Sequence, residues 1–280
     1  MIIPRMPQTS SDVAGHYDEL DGVYRRIWGD HVHHGYWRQG DESPAEAVEA
    51  LADLVADRLG AAAGQRVCDI GCGYGATAAR LAERRGLRVT GVTLSARQAE
   101  YARAWPDPGG RLVFLLRDWL DNRFPDACFD YAYAIESSEH MADKERFLAE
   151  AFRTLRPGGR LVICAWLART GASRWEVDHL LEPICREGRL AGLGTREDYE
   201  MLARGAGFEL LGFEDISRQV QKTWVICARR LAGAVLADSA MRRLLANPLI
   251  RNRGFAFSLP RLIWAYRTGA MRYGVFLLRR

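Results

Sequence analysis

The sequence predicts an α/β fold, a doubly wound sheet of seven mostly parallel strands. Three observations carry that expectation. Short apolar runs alternate with helix-like stretches from residue 65 to residue 166, the rhythm of βα units. The first run ends in an acid and three glycines at alternating positions, Asp69-Ile70-Gly71-Cys72-Gly73-Tyr74-Gly75. Start and stop residues fall at the joints: Ser43-Pro44 and Ser95 before helices, Arg156-Pro157-Gly158-Gly159 after one.

In chain order, Ser11 to Trp37 is aromatic and histidine-rich, and Leu20, Val23, Tyr24 and Ile27 have helical spacing behind Asp12, Asp18 and Glu19. Ser43 caps a helix over 45–59. The strands are expected at 65–70, 87–93, 111–116, 128–135 and 160–166, with helices at 76–85, 95–104 and 143–155 between them. Beyond Trp166 the pattern loosens. Helices are expected at 175–185, 198–205, 224–247 and 258–268, a sixth strand at 208–216 and a last one at 273–278. This divides the chain into a lid (1–44), a core (45–170), and a cap that also carries the last two strands (171–280). No internal repeat or low-complexity segment is present.

With 280 residues and 48% apolar content, one large globular domain is expected. No apolar run is long enough to span a bilayer, and residues 1–11 lack the apolar centre of a signal peptide. Six scattered cysteines in apolar surroundings read as reduced thiols, which fits a cytoplasmic protein. The net charge of +4 is uneven: residues 229–280 hold eleven arginines and one acid, net +10, leaving −6 elsewhere. This basic region is a solvated face or a surface for an anionic membrane or a diphosphate-bearing substrate. No nucleic-acid motif accompanies it, so no nucleic-acid partner is expected. His31, His33 and His34 suggest a metal, but no carboxylate or cysteine cluster has the partner spacing, so none is expected.

The glycine turn ends a strand and opens a helix, so free N–H groups face a ligand there. Its G-x-G-x-G spacing departs from the dinucleotide pattern G-x-G-x-x-G. An acid two places before the first glycine would repel a pyrophosphate and suits an α-amino group. That favours S-adenosylmethionine over NAD, with the aromatic N-terminal lid attracting a sulfonium.

The nonapeptide Val67 to Gly75 resembles the first motif of class I S-adenosylmethionine-dependent methyltransferases. The stretches Trp28 to Tyr36 and Glu136 to Lys144 are similar to tocopherol O-methyltransferases. Gly91-Val92-Thr93-Leu94-Ser95 with Gln98 is similar to the wider group of cyclopropane fatty acid synthases and of sterol and terpenoid C-methyltransferases. The resemblance implies a Rossmann-like fold and roles for individual residues. Asp69, Gly71, Cys72 and Gly73 would face the methionine moiety; Thr93, Leu94 and Gln98 the ribose; Asp118 and Trp119 the adenine. His34, Gly35 and Tyr36 would close over the methionine carboxylate, near Glu136. His140 is the candidate base, with Glu136 or Glu139 orienting it or acting directly. Tyr17, Tyr24, Trp28, Trp166, Trp175, Trp224 and Tyr266 would line the acceptor pocket.

The expected acceptor is a lipophilic small molecule, a prenylated aromatic or a terpenoid of secondary metabolism. The alternatives are C-methylation of an isoprenoid double bond, N-methylation of an aromatic alkaloid, and a non-catalytic cofactor-binding protein. Assembly into a homo-oligomer through the aromatic N-terminus is a further expectation.

Overall fold

The computed structural model describes residues 1–107 and 109–280. Seven strands form one sheet: β1 (Arg66–Ile70), β2 (Arg88–Thr93), β3 (Leu112–Leu116), β4 (Phe129–Ile135), β5 (Leu155–Ala168), β6 (Glu209–Asp215) and β7 (Met271–Arg279). Their order is β3-β2-β1-β4-β5-β7-β6. The first five are parallel, and β7 runs antiparallel between β5 and β6. The order reverses beside β1, which opens a crevice at the strands' carboxyl ends.

Helices α1 (Ser10–Glu19), α3 (Pro44–Leu59), α5 (Ala96–Arg103) and α6 (Lys144–Thr154) begin where side chains satisfy free N–H groups, whereas α2 (Asp21–Ile27) and α4 (Ala76–Arg85) start without a side-chain cap. Thr9 with Asp12 and Ser43 with Glu46 form capping boxes, and Ser95 and Asp143 cap α5 and α6. Two apolar clusters cover the faces of the sheet. One is built on α2, α3, α4 and the C-terminal helices, the other on α6 and helix Arg196–Gly205.

Several expected elements differ. The N-terminal segment holds two helices, because α1 starts at the Thr9 cap and the chain breaks at Leu20. Arg156-Pro157-Gly158-Gly159 does not precede β5 but is absorbed within it: Phe129 pairs with Leu155 while Tyr131 pairs with Arg160. The helix expected over 224–247 is two, Lys222–Ala237 and Ser239–Ala246; extended Asp238 ends one and caps the other. The last helix starts earlier, at Gly254. Helix Arg196–Gly205 buries Tyr199 and Ala203 against the sheet. The N-terminal segment is tied down at its start, where Ile2 bridges to Leu193.

Candidate active site

A cavity of about 730 Å³ runs along the carboxyl ends of β1 to β4. At the β1 turn, Gly71 (φ +84°) lies against Ser137, whose Cβ would stand 2.3 Å from an added Cβ. Gly73 (φ +53°) faces open space, with nothing within 4 Å of where a Cβ would be. Only glycine leaves that approach clear. The buried Asp69 beside it accepts a hydrogen bond from the Tyr133 hydroxyl at 2.7 Å. Burial pushes its carboxyl up to about 7, against the opposing pull of Tyr133. The other carboxylate oxygen, Oδ1, has no such bond in the described contacts and remains for an ammonium group. Asp69 and Cys72 share a small adjoining pocket with His31, Val32, His33 and Thr77.

After β2, the Thr93 hydroxyl donates to Gln98 Oε1 at 2.8 Å, so the Gln98 amide N–H groups stay available. Leu94 lines the same wall. After β3, Asp118 accepts from Leu120 N at 2.8 Å and from the Ser10 hydroxyl at 2.7 Å. Trp119 is buried beneath it, its indole N–H on Phe147 O. Helix α1 roofs the cavity with Ser10, Val13 and Tyr17. Asp18 pins this roof by accepting from the Ser95 hydroxyl and from Arg97 N.

A second, narrow cavity adjoins the first and shares Tyr17, Val32, Glu136 and His140 with it. Tyr24, Trp28, Trp166, Trp224 and Phe255 make its aromatic walls. His140 stands between the two. Its Nδ1 lies 3.0 Å from Arg189 O, which can only accept, so Nδ1 carries the proton and donates. Nε2 is therefore an acceptor, and the Tyr17 hydroxyl donates to it at 2.9 Å. Burial lowers this histidine to about 4, so the imidazole is neutral at pH 7.

Glu136 is the most heavily bonded carboxylate of the site. It accepts from His34 N at 2.7 Å, His34 Nδ1 at 2.9 Å, Trp166 Nε1 at 2.8 Å and the Tyr273 hydroxyl at 2.8 Å. Burial raises its carboxyl, but the His34 and His33 groups outweigh it and bring it down to about 2. It also sits at φ +52°, a costly conformation for a residue with a Cβ. With both oxygens taken up by these four donors and the ionised form favoured, Glu136 does not fit the expected proton-abstracting role and anchors the His34 segment instead. Glu139 accepts from Trp166 N and from the Ser138 hydroxyl at 3.1 Å. Burial raises its carboxyl and lowers the neighbouring Lys144, which donates to Met141 O at 3.1 Å.

Other expectations are relocated. The His34 ring turns into a box of Trp166, Trp224, Tyr266 and Tyr273. Gly35 N donates to the Thr223 hydroxyl and Tyr36 N to Ala47 O, both away from the β1 turn. The residues that reach the turn are His31, Val32 and His33. Tyr266 is buried behind Trp224 and lines neither cavity. Trp175 is 55% exposed and stacks on His179, so it is not in the acceptor wall. Among the described residues no cluster of three or more His, Cys, Asp and Glu could hold a metal.

The sequence reading missed Tyr133, Tyr273, Ser10 and the Arg189 carbonyl. Of these, Tyr133 had a signal: it is the register partner of Asp69 across β1 and β4.

A methyltransferase domain model matches residues 68–163. The chain is 34% identical over 242 residues to the 27-O-demethylrifamycin SV methyltransferase of Amycolatopsis mediterranei, covering 85% of this chain and 88% of that one. The chain belongs to the class I S-adenosylmethionine-dependent methyltransferases. A tocopherol O-methyltransferase of Arabidopsis thaliana is 29% identical, with 96% of this chain and 81% of the relative covered. Among solved structures, the [4+2]-cyclase SpnF superposes with a TM-score of 0.80 at 30% identity, covering 99% and 98% of the two chains. A cyclopropane synthase from Mycobacterium tuberculosis shares the fold, with a TM-score of 0.85 at 24% identity over 99% and 100%.

The cofactor of this methyltransferase is S-adenosylmethionine. The open cradle at Gly73, the available Asp69 oxygen and the Gln98 amide are donors and acceptors that fit it.

Proposed function

We propose that this methyltransferase O-methylates a hydroxyl of a lipophilic natural product, with His140 as the base. The observation that carries this reading is His140 itself, a neutral imidazole whose basic Nε2 is at the junction of the two cavities. Bound in the larger cavity, S-adenosylmethionine supplies an activated methyl group on a sulfonium. Asp69 would hold its ammonium, Thr93 and Gln98 its ribose, and Asp118 and Trp119 its adenine.

The Tyr17 hydroxyl stands where an acceptor hydroxyl would bond Nε2, so the acceptor displaces it or passes its proton through it. His140 then takes that proton, and Arg189 O holds the ring against rotation. Glu136 holds the His34 loop, and the aromatic walls exclude water. In this reading residues 1–44 act as lid, and the helices between 171 and 268 that do not back the sheet act as cap.

The names of the relatives, which act on a rifamycin and on tocopherols, support an apolar, hydroxylated acceptor. A panel of such acceptors scored by S-adenosylhomocysteine release tests the reading. Turnover confined to polar amines, or none in the presence of bound cofactor, would overturn it.

A second reading, C-methylation of an isoprenoid double bond, is favoured by the permanently ionised Glu136 and the ring of aromatic faces, which suit a developing cation. The site of the methyl group in the isolated product separates the two. Of the arginines that a diphosphate on that acceptor could meet, Arg261 and Arg279 are paired with Glu187 and Glu209, and Arg242 donates to carbonyls of its own segment.

Exposed Leu236 and Leu249 among these arginines support contact of the cap with an anionic membrane, which sedimentation with anionic and neutral vesicles would test. The six free thiols suit a reducing compartment such as the cytoplasm. No helix among the described residues is long and apolar enough to cross a membrane.

A further inference from the structure

The two nitrogens of His140 are held by different parts of the chain. Nδ1 donates to Arg189 O at 3.0 Å, and Nε2 accepts from the Tyr17 hydroxyl at 2.9 Å. Tyr17 belongs to α1, so the ring keeps both partners only while α1 and the segment around Arg189 stay in register.

Arg189 follows the helix Glu182–Glu187. Leu190 N donates to Cys185 O at 2.8 Å, the long bond of a Schellman helix end, and residue 189 takes the left-handed conformation at φ +56°. Glycine is the usual occupant of that position, because a Cβ is costly there. A glycine adjoins it, Gly188, but with an ordinary φ of −86°, so the chain places its arginine at the strained position. Such a residue persists where its surroundings over-determine it.

The guanidinium does so. Its Nε donates to Asn252 Oδ1 at 2.8 Å and its Nη1 to Gln8 Oε1 at 3.1 Å. Both acceptors are neutral amides of buried residues, and a cation makes charge-assisted bonds to them. Each amide is tied in turn to one end of α1. Gln8 adjoins the Thr9 cap at its start, and Glu19, its last residue, accepts from Asn252 N at 2.9 Å and Asn252 Nδ2 at 2.6 Å. The main chain beyond Arg189 is fixed separately, by Ala191 N on Glu139 O at 2.8 Å. The side chain thus holds the helix that presents Tyr17, while the carbonyl of the same residue holds the ring.

We propose that Arg189 is a positioning residue of the acceptor site that fixes both nitrogens of His140, Nδ1 through its own carbonyl and Nε2 through its grip on the two ends of α1. The inference rests on the reading of His140 as the base and adds what keeps that base in one tautomer. Without the grip, α1 shifts, Nε2 loses the Tyr17 hydroxyl, and the proton distributes between the two nitrogens. A ring protonated on Nε2 offers an N–H where a lone pair is needed, and cannot take the proton of a substrate hydroxyl.

The test labels the histidine imidazoles of the full-length protein with ¹⁵N and reads two-bond proton–nitrogen spectra at pH 7 with S-adenosylhomocysteine bound. His140, identified by the signals lost in His140→Gln, should show a protonated Nδ1 and a bare Nε2 in the wild type. Arg189→Gly keeps the left-handed turn and removes the guanidinium. Its two His140 nitrogen shifts should move toward each other, and kcat on the best acceptor of the panel above should fall about ten- to a hundredfold. KM for that acceptor should stay within about threefold, because the cavity walls are unchanged. Gln8→Ala removes one anchor and leaves position 189 as it is. It should give an intermediate shift, and it carries the test if Arg189→Gly loses its melting transition. Arg189→Lys, which restores a cation, should recover part of the wild-type pattern.

A His140 that keeps the single Nδ1–H tautomer in Arg189→Gly overturns the inference, even if turnover falls, because a loss of rate with the tautomer intact is a structural effect alone. A wild type protonated on Nε2 overturns it as well. Mixed tautomers with undiminished kcat keep the positioning role and reject His140 as the base. The spectra need no methyl acceptor, so the two readings fail separately.

Discussion

The cofactor side and the acceptor side of this enzyme are built on different principles. Along the floor of the larger cavity, the lining groups belong to short consecutive stretches at strand ends, Asp69 to Gly73, Thr93 to Gln98, and Asp118 with Trp119, and only its roof comes from the distant N-terminal segment. On the acceptor side, the decisive contacts join residues far apart in the chain. Tyr17 meets His140 across 123 positions, His34 meets Glu136 across 102, and Gly35 meets Thr223 across 188. Local geometry builds most of the first site, whereas packing between segments far apart in the chain builds the second. A change at a residue that lines only one cavity should therefore leave the other nearly untouched, and Tyr17, Val32, Glu136 and His140 line both.

The largest expected effect is on the acceptor side. His140→Ala should lower turnover by roughly 10²- to 10⁴-fold while cofactor affinity, read by calorimetry, stays within about twofold. Because burial lowers His140 to about 4, kcat/KM for the acceptor, taken with S-adenosylmethionine saturating, should hold level from pH 8 to about pH 5 and fall below that as Nε2 is protonated. A fall already centred at 6.5 would mean that this histidine is not held as described.

Glu136→Ala comes next, and it is a stability effect. It leaves the four donors from His34, Trp166 and Tyr273 without their shared acceptor, at a cost of about 3–5 kcal/mol, read by denaturant melts. The same carboxylate predicts part of the acid response. Its folded value lies near 2, below the ordinary 4.5, so its stabilisation is complete above 4.5 and is lost as pH falls through 2.

On the cofactor side, Asp69→Ala should weaken S-adenosylmethionine about ten- to a hundredfold, by the loss of a charge-assisted bond, with folding retained. In the wild type, the carboxyl near 7 must ionise to receive an ammonium, so affinity should decline as pH drops below about 7. Constant affinity between pH 8 and 5 would remove Asp69 from that role. The smallest effect belongs to neither side: Trp175→Ala, on the surface, should change stability by less than about 0.5 kcal/mol and leave turnover unchanged.

The contrast explains what could be read in advance. The β1 to β4 strands and the caps Ser43 and Ser95 follow from apolar periodicity and turn chemistry, which act over a few residues, whereas Thr93, Gln98, Asp118 and Trp119 were placed by the family resemblance. The roles of Glu136 and Trp175 did not follow. A glutamate near a histidine reads as an orienting acid in sequence, and only the four donors gathered around Glu136 make it an anchor. An indole beside cap helices reads as pocket wall, and only the direction its helix faces puts it in water.

The sequence alone thus determined the sheet, its glycine turn and the kind of cofactor that turn admits, because strand, cap and turn preferences are settled between near neighbours. The tertiary structure decided which histidine nitrogen is basic, which carboxylate is spent on hydrogen bonds and how far the acceptor cavity extends. Those properties depend on burial and on partners more than a hundred residues away, and no local pattern encodes them.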